Sequence, residues 1–382
     1  MVKAIVLGAG RVGTAMALDL ATDEQFAVRV ADRDAARLAE LETRSGIPGE
    51  RVDFSLPSTV GRAVADADIV VSAVPGFLGH RTLQAIIEAG KPVVDIAFFP
   101  EDPFTLDEFA RGRGVTAIVD CGVAPGLSNL LVGLAARDLD VTERVAIYVG
   151  GLPADPKPPY EYRAVFSPID VIEEYTRPAR IVVNGELETR EALSEIEEFA
   201  FAGIGNLEAF NTDGLRTLMK TISCPNMVEK TLRYPGHAEK MKLLRDTGLF
   251  SSEPIDVGDQ EVRPIDVATA LLFPLWQLAE GEEDLTVLRI VVEGIKEGYS
   301  IRRTFDLVDR FDRQTGTTSM ARTTGYTATM AIRLLAEGRI HALGVLAPEM
   351  LASDQSNVDF MLAGLRERGI EVLDTTEKLA PR

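Results

Sequence analysis

The chain has 382 residues, 46% of them hydrophobic, and a formal net charge of -19. That length exceeds the ~100–200 residues of a usual domain and points to two domains, while the acidic balance repels phosphates and argues against nucleic acid or an anionic membrane as partner. Two cysteines, Cys121 and Cys224, make neither a disulfide framework nor a zinc site.

In chain order, KAIVLGAGRVGTAMALDLA reads as a buried strand over Ala4 to Leu7, a glycine turn, and a helix from about Val12. Its apolar run is too short for a secretory leader, and no run of ~18 or more apolar residues exists to span a bilayer, so the cytoplasm is the expected compartment. FAVRVAD is a second strand ending at Asp32. A helix follows at 35–43, then a strand at 67–72, a helix at 78–89, a strand at 92–96, a helix at 106–112 and a strand at 115–119. This alternation predicts a Rossmann-type, doubly wound parallel sheet over residues 1–124.

After about residue 126 the pattern changes. ERVAIYVG at 143–150 is a strand, GLPADPKPPYEY is a proline-stiffened loop, and 264–278 is a helix. VLRIVVEGIKEGYSIRRTFDLVDRF is two alternating runs joined at Lys-Glu-Gly, which predicts a hairpin. Residues 125–325 are therefore expected to form an α+β domain with a mostly antiparallel sheet. The segment 326–382, which includes FMLAGLRERGIEVLD, reads as helix then strand and is expected to return to the first domain. A ligand cleft is expected between the two.

Gly8, Gly10 and Gly13 form G-x-G-x-x-G after a strand and at the opening of a helix. The first glycine permits the tight turn, the second the approach of a pyrophosphate, and the third close helix–strand packing. Arg11 and Val12 lie in the same turn, whose free N–H groups and helix dipole suit phosphates. Asp32 is placed to accept from the ribose hydroxyls and to repel a 2′-phosphate, which favours NAD over NADP; Arg33 beside it softens that preference. Ala73, Val74 and Pro75 end the fourth-strand segment VSAVPGF, where a loop would pass close to the cofactor. Asp95 and Asp120 end two further strands, and Gly122, Pro125 and Gly126 announce another helix start.

TLRYPGHAEKMKLL gathers Arg233, His237, Lys240 and Lys242 in an acidic chain. Its neutral reading is a solvated helix start; its functional reading is the reception of an anionic small molecule. His237 has an ordinary pKa suited to a base near neutral pH. Lys240, three residues on, shares its helical face, whereas Lys242 and Arg245 read as solvated surface. Cys121 reads as a small buried hydrophobe, and His80 and His341 lack companions at ligand spacing, so no metal is expected.

The glycine fingerprint, DCGVAPGLSN, YVGGLP, KPPYEYRAVFSP, LEAFNTDGL and TLRYPGHAEKMKLL together resemble the saccharopine dehydrogenase-like family over almost the whole chain. PPYEY and RYPGHAEK resemble its lysine 6-dehydrogenase branch more narrowly; Asp213, where serine is common, departs from it. The resemblance implies NAD-dependent oxidation of the ε-amine of L-lysine to 2-aminoadipate 6-semialdehyde by a homo-oligomer, with a dimer favoured. It implies catalytic roles for Asp120, His237 and Lys240, and substrate contacts from Glu161, Tyr162, Thr212 and Arg233, the arginine clamping the α-carboxylate. Saccharopine and carboxynorspermidine remain alternative substrates; they carry extra carboxylates that Arg163, Arg216 and Arg263 are available to meet. A non-catalytic NAD-binding relative is the third reading.

Overall fold

The computed structural model describes residues 1–165, 168–279 and 281–381; Phe166 and Ser167 of the KPPYEYRAVFSP motif lie outside them. The chain divides into two compact units, 1–137 with 320–371 and 138–319 with 372–382.

The first unit opens with β1 (Val2–Leu7), α1 (Arg11–Ala21), β2 (Phe26–Asp32), α2 (Ala35–Ser45), β3 (Gly49–Arg51) and α3 (Pro57–Val64). It continues with β4 (Ile69–Ser72), α4 (Gly76–Glu88), β5 (Val93–Asp95), α5 (Asp107–Arg113), β6 (Thr116–Ile118) and α6 (Leu127–Arg137). Its seven strands run β17-β6-β5-β4-β1-β2-β3, all pairs parallel, with β17 (Gly344–Leu346) added at the edge beyond β6. Strand order reverses between β1 and β4, the place where such sheets bind ligands. The inner strands are apolar without alternation because helices cover both faces; Ile5, Leu7, Val70 and Val93 belong to one buried cluster. Local signals set the helix ends: Asp34 caps α2 by accepting from the N–H groups of Ala36 and Arg37, and Gly46 closes it at φ 73°.

Three later helices complete this unit: α11 (Ser319–Ala336, all but its first residue), α12 (Pro348–Leu351) and α13 (Gln355–Glu367). Gly133 on α6 lets the backbone at Glu349 approach so closely that a Cβ would lie 2.5 Å from its carbonyl oxygen. Asp19, buried near the end of α1, accepts from Thr329 Oγ1, from Arg333 Nη1 at 2.8 Å and from Arg368 Nε. One carboxylate thus ties α1 to α11 and to the residue that follows α13.

The second unit contains β7 (Val141–Pro153), α7 (Pro168–Thr176), β8 (Ala179–Val183), β9 (Glu186–Arg190), β10 (Glu197–Phe201), β11 (Gly205–Asn211), α8 (Leu218–Thr221), β12 (Met227–Arg233) and α9 (His237–Asp246). It ends with the hairpin β13 (Ile255–Val257) and β14 (Gln260–Val262), α10 (Pro264–Trp276), and the long hairpin β15 (Asp284–Lys296) and β16 (Tyr299–Arg310). The nine-stranded sheet runs β10-β11-β12-β7-β15-β16-β18, with β8 and β9 off that path. It is antiparallel except where β12 lies parallel to β7. The turn of the long hairpin is Glu297-Gly298, both at positive φ (51° and 76°), as a two-residue turn requires.

Of the tail 326–382 expected to return to the first unit, residues up to 371 lie there, and only the last strand, β18 (Leu373–Pro381), departs to pair with β16 in the second sheet. Among the described residues no helix is long and apolar enough to cross a membrane, and no three His, Cys, Asp or Glu side chains gather as a metal-binding group.

Candidate functional site

In the first unit the glycine loop is built by sterics. Gly8 lies at φ 112°, and a Cβ on it would sit 2.6 Å from the Ala73 carbonyl oxygen. One on Gly13 would sit 2.0 Å from that of Gly8, whereas around Gly10 nothing lies within 4 Å. Gly8, Gly13 and Ala73 are therefore a packing knot, and Gly10 is where space is kept. It also caps α1 with no side-chain bond and no acid in the first turn, so the positive end of the helix, where Arg11 and Val12 begin it, faces the loop without a carboxylate on it. A pyrophosphate fits that cradle in shape and in charge.

Asp32 ends β2 with its two oxygens already engaged, Oδ2 by the Ala9 N–H at 2.6 Å and Oδ1 by that of Asp34 at 2.8 Å. Each oxygen keeps a lone pair for a hydroxyl, and the carboxylate also fixes the glycine loop. Two cations flank it: Arg33 is exposed, and Arg51, in register with Asp32 on β3, donates to the Arg33 carbonyl oxygen at 3.2 Å. Sequence reasoning missed Arg51 because β3 is three exposed residues with no apolar alternation.

The Ala73 N–H donates to Leu7 O at 2.9 Å, and Val74 is buried before Pro75, the cap of α4. Asp95 ends β5, and Asp120 lies two residues beyond the adjacent strand β6; both are buried. Asp95 Oδ2 accepts from the Ala97 N–H at 3.2 Å, and its carbonyl oxygen accepts from that of Cys121 at 3.0 Å. Asp120 takes a left-handed backbone, φ 51°, which aspartate tolerates better than most residues. The Cys121 thiol is pushed up by burial and then by the charges of Asp120 and Asp95, which leaves it inert.

In the second unit the alternation of β12 sends Glu229, Thr231 and Arg233 to one face. Phe210 of β11 stands opposite Thr231 on that face, and Glu208 opposite Arg233. Arg233 is 2% exposed; its Nη2 meets Glu174 of α7 at 2.7 Å, and its guanidinium lies 4.7 Å over the Tyr162 ring. Burial pushes the Glu174 carboxyl up and Arg233 pulls it back. Burial also holds the Tyr162 phenol well above its ordinary range. Thr212 Oγ1 donates to Glu229 Oε2 at 2.6 Å, and the Gly214 N–H donates to the same oxygen at 3.1 Å. Desolvation pushes this carboxyl up to about 8. Glu208 accepts from the Gly236 N–H at 2.8 Å and from that of Ala238, occupying the N-terminus of α9. Asp213, the departure in NTDGL, holds Arg180 by two parallel bonds of 2.8 Å.

His237 is fully buried. Its Nδ1 faces the Tyr160 carbonyl oxygen at 2.9 Å and must donate there, which makes Nε2, 2.8 Å from the Tyr175 hydroxyl, the acceptor. Burial, then the charge of Arg233, drives its pKa down to about 3. The expectation of a proton acceptor poised near neutrality rested on an unperturbed imidazole, and this surrounding replaces it: the ring is neutral with both nitrogens committed. Lys240 pairs with Glu161, whose own backbone is left-handed at φ 49°. The shared face of His237 and Lys240 thus meets the Tyr160–Tyr162 loop, with the Tyr162 ring 5.0 Å from the imidazole. Arg245, read as solvated, instead donates to Ala192 O at 2.6 Å. Glu174, Tyr175 and Glu208 had no signal in sequence, whereas the period-two spacing Glu229-Thr231-Arg233 was there to be read.

The profile of the saccharopine dehydrogenase NADP binding domain matches residues 4–118, and that of the saccharopine dehydrogenase C-terminal domain matches 122–370. The chain belongs to the saccharopine dehydrogenase family. It is 24% identical to saccharopine dehydrogenase [NADP(+), L-glutamate-forming] of Saccharomyces cerevisiae, over 90% of this chain and 93% of that one. To carboxyaminopropylagmatine dehydrogenase of Synechocystis it is 21% identical, over 97% and 96%. The bovine mitochondrial alpha-aminoadipic semialdehyde synthase matches at 24% identity over 91% of this chain and 45% of its own length. The fold is that of the apo yeast saccharopine dehydrogenase (L-Glu forming), with a TM-score of 0.81 at 21% identity, covering 99% of this chain and all of the other. The chain is thus an oxidoreductase of this family.

Proposed function

We propose that this chain oxidises the ε-amino carbon of L-lysine with NAD to an imine, which water hydrolyses to ammonia and 2-aminoadipate 6-semialdehyde; the aldehyde then cyclises with loss of water to piperideine-6-carboxylate. The observation that supports lysine over a polycarboxylate amine is the state of the arginines. Arg163 is spent on Glu282, at 2.8 and 3.2 Å, and Arg263 pairs with Asp266 at 3.7 Å. Arg233 stands among carboxyl groups, Glu174, Glu208 and Glu229, which suits a substrate with one carboxylate and two amines. The secondary-amine reading keeps its support in the activities named for the yeast and Synechocystis relatives.

Bound nicotinamide would supply the hydride acceptor. The chain's own residues do the rest. The N–H groups around Gly10 hold the pyrophosphate and Asp32 the ribose hydroxyls. Arg233, steadied by the Tyr162 ring, takes the α-carboxylate, for which Glu174 must give up its place. Thr212 carries a lone pair toward the same polar face, Glu161 and Lys240 line the loop, and Asp120 orients substrate or water. His237 positions the loop rather than moving a proton.

An amine screen that follows reduction of the cofactor decides the substrate; turnover of saccharopine but not lysine would overturn the reading. Arg233→Lys keeps the charge and loses the planar fork. It is expected to lower kcat/KM for lysine roughly 100-fold, on the order of 3 kcal/mol, with NAD affinity unchanged by titration; a parallel collapse of NAD binding would make Arg233 a folding residue. Asp32→Asn is expected to weaken NAD about ten-fold and to improve NADP relative to it. Equal use of both cofactors by the unaltered chain would count against Asp32 as selector. The ε-amine must lose its proton, with a free pKa of ~10.4; near Arg233 the His237 ring is too weak a base at about 3, and Glu229 becomes a carboxylate only above about 8. The rate is therefore expected to rise toward alkaline pH, and His237→Asn to leave the shape of that profile unchanged.

A further inference from the structure

We propose that Glu229 is the proton acceptor of the reaction: its Oε1 takes a proton from the ε-ammonium group of the bound amine, so that the nitrogen has a lone pair when hydride leaves the adjoining carbon. The assignment rests on the reading that this chain oxidises an amine. Glu229, Thr231 and Arg233 share one face of β12, and the ends of that row are ~13 Å apart at Cα. With the substrate carboxylate on Arg233, the two side chains and a four-carbon stem between them span that distance. Both bonds that hold the Glu229 carboxyl, from Thr212 Oγ1 and from the Gly214 N–H, go to Oε2. Oε1 has no partner among the described residues, and it is not shut off from solvent.

The surroundings are built for this carboxyl. Gly214 takes no positive φ; it is needed for space, since a Cβ there would lie 2.4 Å from Glu229 Cδ. Thr212 spends its proton on Oε2, so the Thr231 hydroxyl, 2.9 Å away, donates to Thr212 in turn, and the row of hydroxyls aims its protons at the carboxyl. Glu174 of α7 and Asp213, itself held by Arg180 of β8, both disfavour the charged form. Glu208 of β11 stands opposite Arg233, and β7 brings only Ile147 opposite Glu229 and Val149 opposite Thr231. Desolvation outweighs the two bonds and holds the carboxyl up at about 8. A glutamine would accept the same bonds without an ionisable group in the interior. The fold alone therefore gives no reason for an acid, and groups perturbed in this way cluster at functional sites. A substrate ammonium beside Oε1 favours the carboxylate in turn. In the step itself an N–H bond breaks, an O–H bond forms on Oε1 and both charges cancel; nothing is oxidised until hydride leaves.

The test is the pH profile of kcat with L-lysine at saturating NAD. In the unaltered chain kcat should rise about ten-fold per pH unit to a bend at or below about 8 and level off above it. Glu229→Gln should lower kcat at pH 9 on the order of 100-fold and remove the bend, leaving a rise toward the ~10.4 of the amine itself. Its NAD affinity should stay unchanged. Thr212→Val loses a bond that favours the carboxylate, so the bend should move up by about one pH unit, a shift that a merely structural threonine would not cause. Infrared difference spectra without substrate should show a protonated carboxyl that is lost through about pH 8 and is missing in Glu229→Gln. A rate and a bend retained by Glu229→Gln, an unmoved bend in Thr212→Val, or no such carboxyl in the infrared would each overturn the proposal. If Glu229→Gln misfolds, Thr212→Val decides it. The substrate reading fails separately: turnover of saccharopine but not lysine by the unaltered chain refutes lysine, and the same profile is then run with saccharopine, whose nitrogen must also shed a proton.

Discussion

Glu229→Gln is expected to stabilise the chain by roughly 3 kcal/mol at pH 7 and by almost nothing at pH 4. Glu229 is buried on β12 with its carboxyl raised to about 8, chiefly by desolvation. In the unfolded chain it ionises near 4.5. Between those values the unfolded state releases a proton that the folded state keeps, so the folding constant falls about ten-fold per pH unit as pH rises. Below the lower value both states are protonated and above the upper both are ionised, so the difference stops growing. Glutamine has the shape of the protonated acid, and its carbonyl oxygen accepts from Thr212 and the Gly214 N–H as the acid does. His237 acts in the opposite sense: its folded pKa of about 3 lies below the ordinary 6.5, so its neutral burial costs stability as pH falls through that range. The two slopes cancel between about pH 4.5 and 6.5 and leave a plateau that declines on both sides. Urea unfolding across pH, with and without Glu229→Gln, checks this. A constant difference between the two proteins would place the Glu229 proton elsewhere.

The second large effect belongs to Asp19. Asp19→Ala takes from the guanidinium of Arg333, 6% exposed, its nearest carboxylate, leaving it Asp23 at 3.4 Å, and leaves the Arg368 guanidinium only its bond to the Gly364 carbonyl oxygen among the described residues. Breaking a buried pair from one side costs ~3–5 kcal/mol, on the order of 10 °C in the melting of a unit of this size. Because α1 carries Gly10 at one end and Asp19 near the other, NAD affinity is expected to fall as well, although Asp19 lies about two and a half turns from the phosphate cradle. Adding Arg333→Met to the variant should recover part of the stability, since it removes a buried charge that Asp23, at 3.4 Å, compensates less well than Asp19 does. No recovery would show that Asp19 acts by packing alone.

What could be read from residues was what neighbours in sequence decide. Gly8, Gly10, Gly13 and Asp32 lie within one strand-helix-strand unit, and each has its chemical reason there. The hairpin of β15 and β16 was equally legible, because alternation and a Glu-Gly turn specify it locally. The short strand β3 was not, since three exposed residues carry no pattern, and α3 was announced only by Pro57 at its start. The environment of a side chain lies further off. His237 was visible as a rare cation near a turn, but its neutrality is set by Tyr175, 62 residues earlier, and by Tyr160. Glu229 offered no hint of its raised pKa because the desolvation responsible is a matter of tertiary packing, which the bonds from Thr212 and the Gly214 N–H only partly oppose.

The backbone passes between the two units at 137/138, at 319/320 and again at 371/372. Neither unit is therefore a continuous stretch that a gene could lend or lose by one fusion or one truncation. Expressing 1–137 alone would leave the parallel sheet without its β17 edge and Asp19 without Arg333 and Arg368, an acid buried for partners that were never made. A single proteolytic nick at any one junction would likewise leave two covalent tethers in place. For this chain modularity has to be sought by splicing 137 to 320, not by cutting.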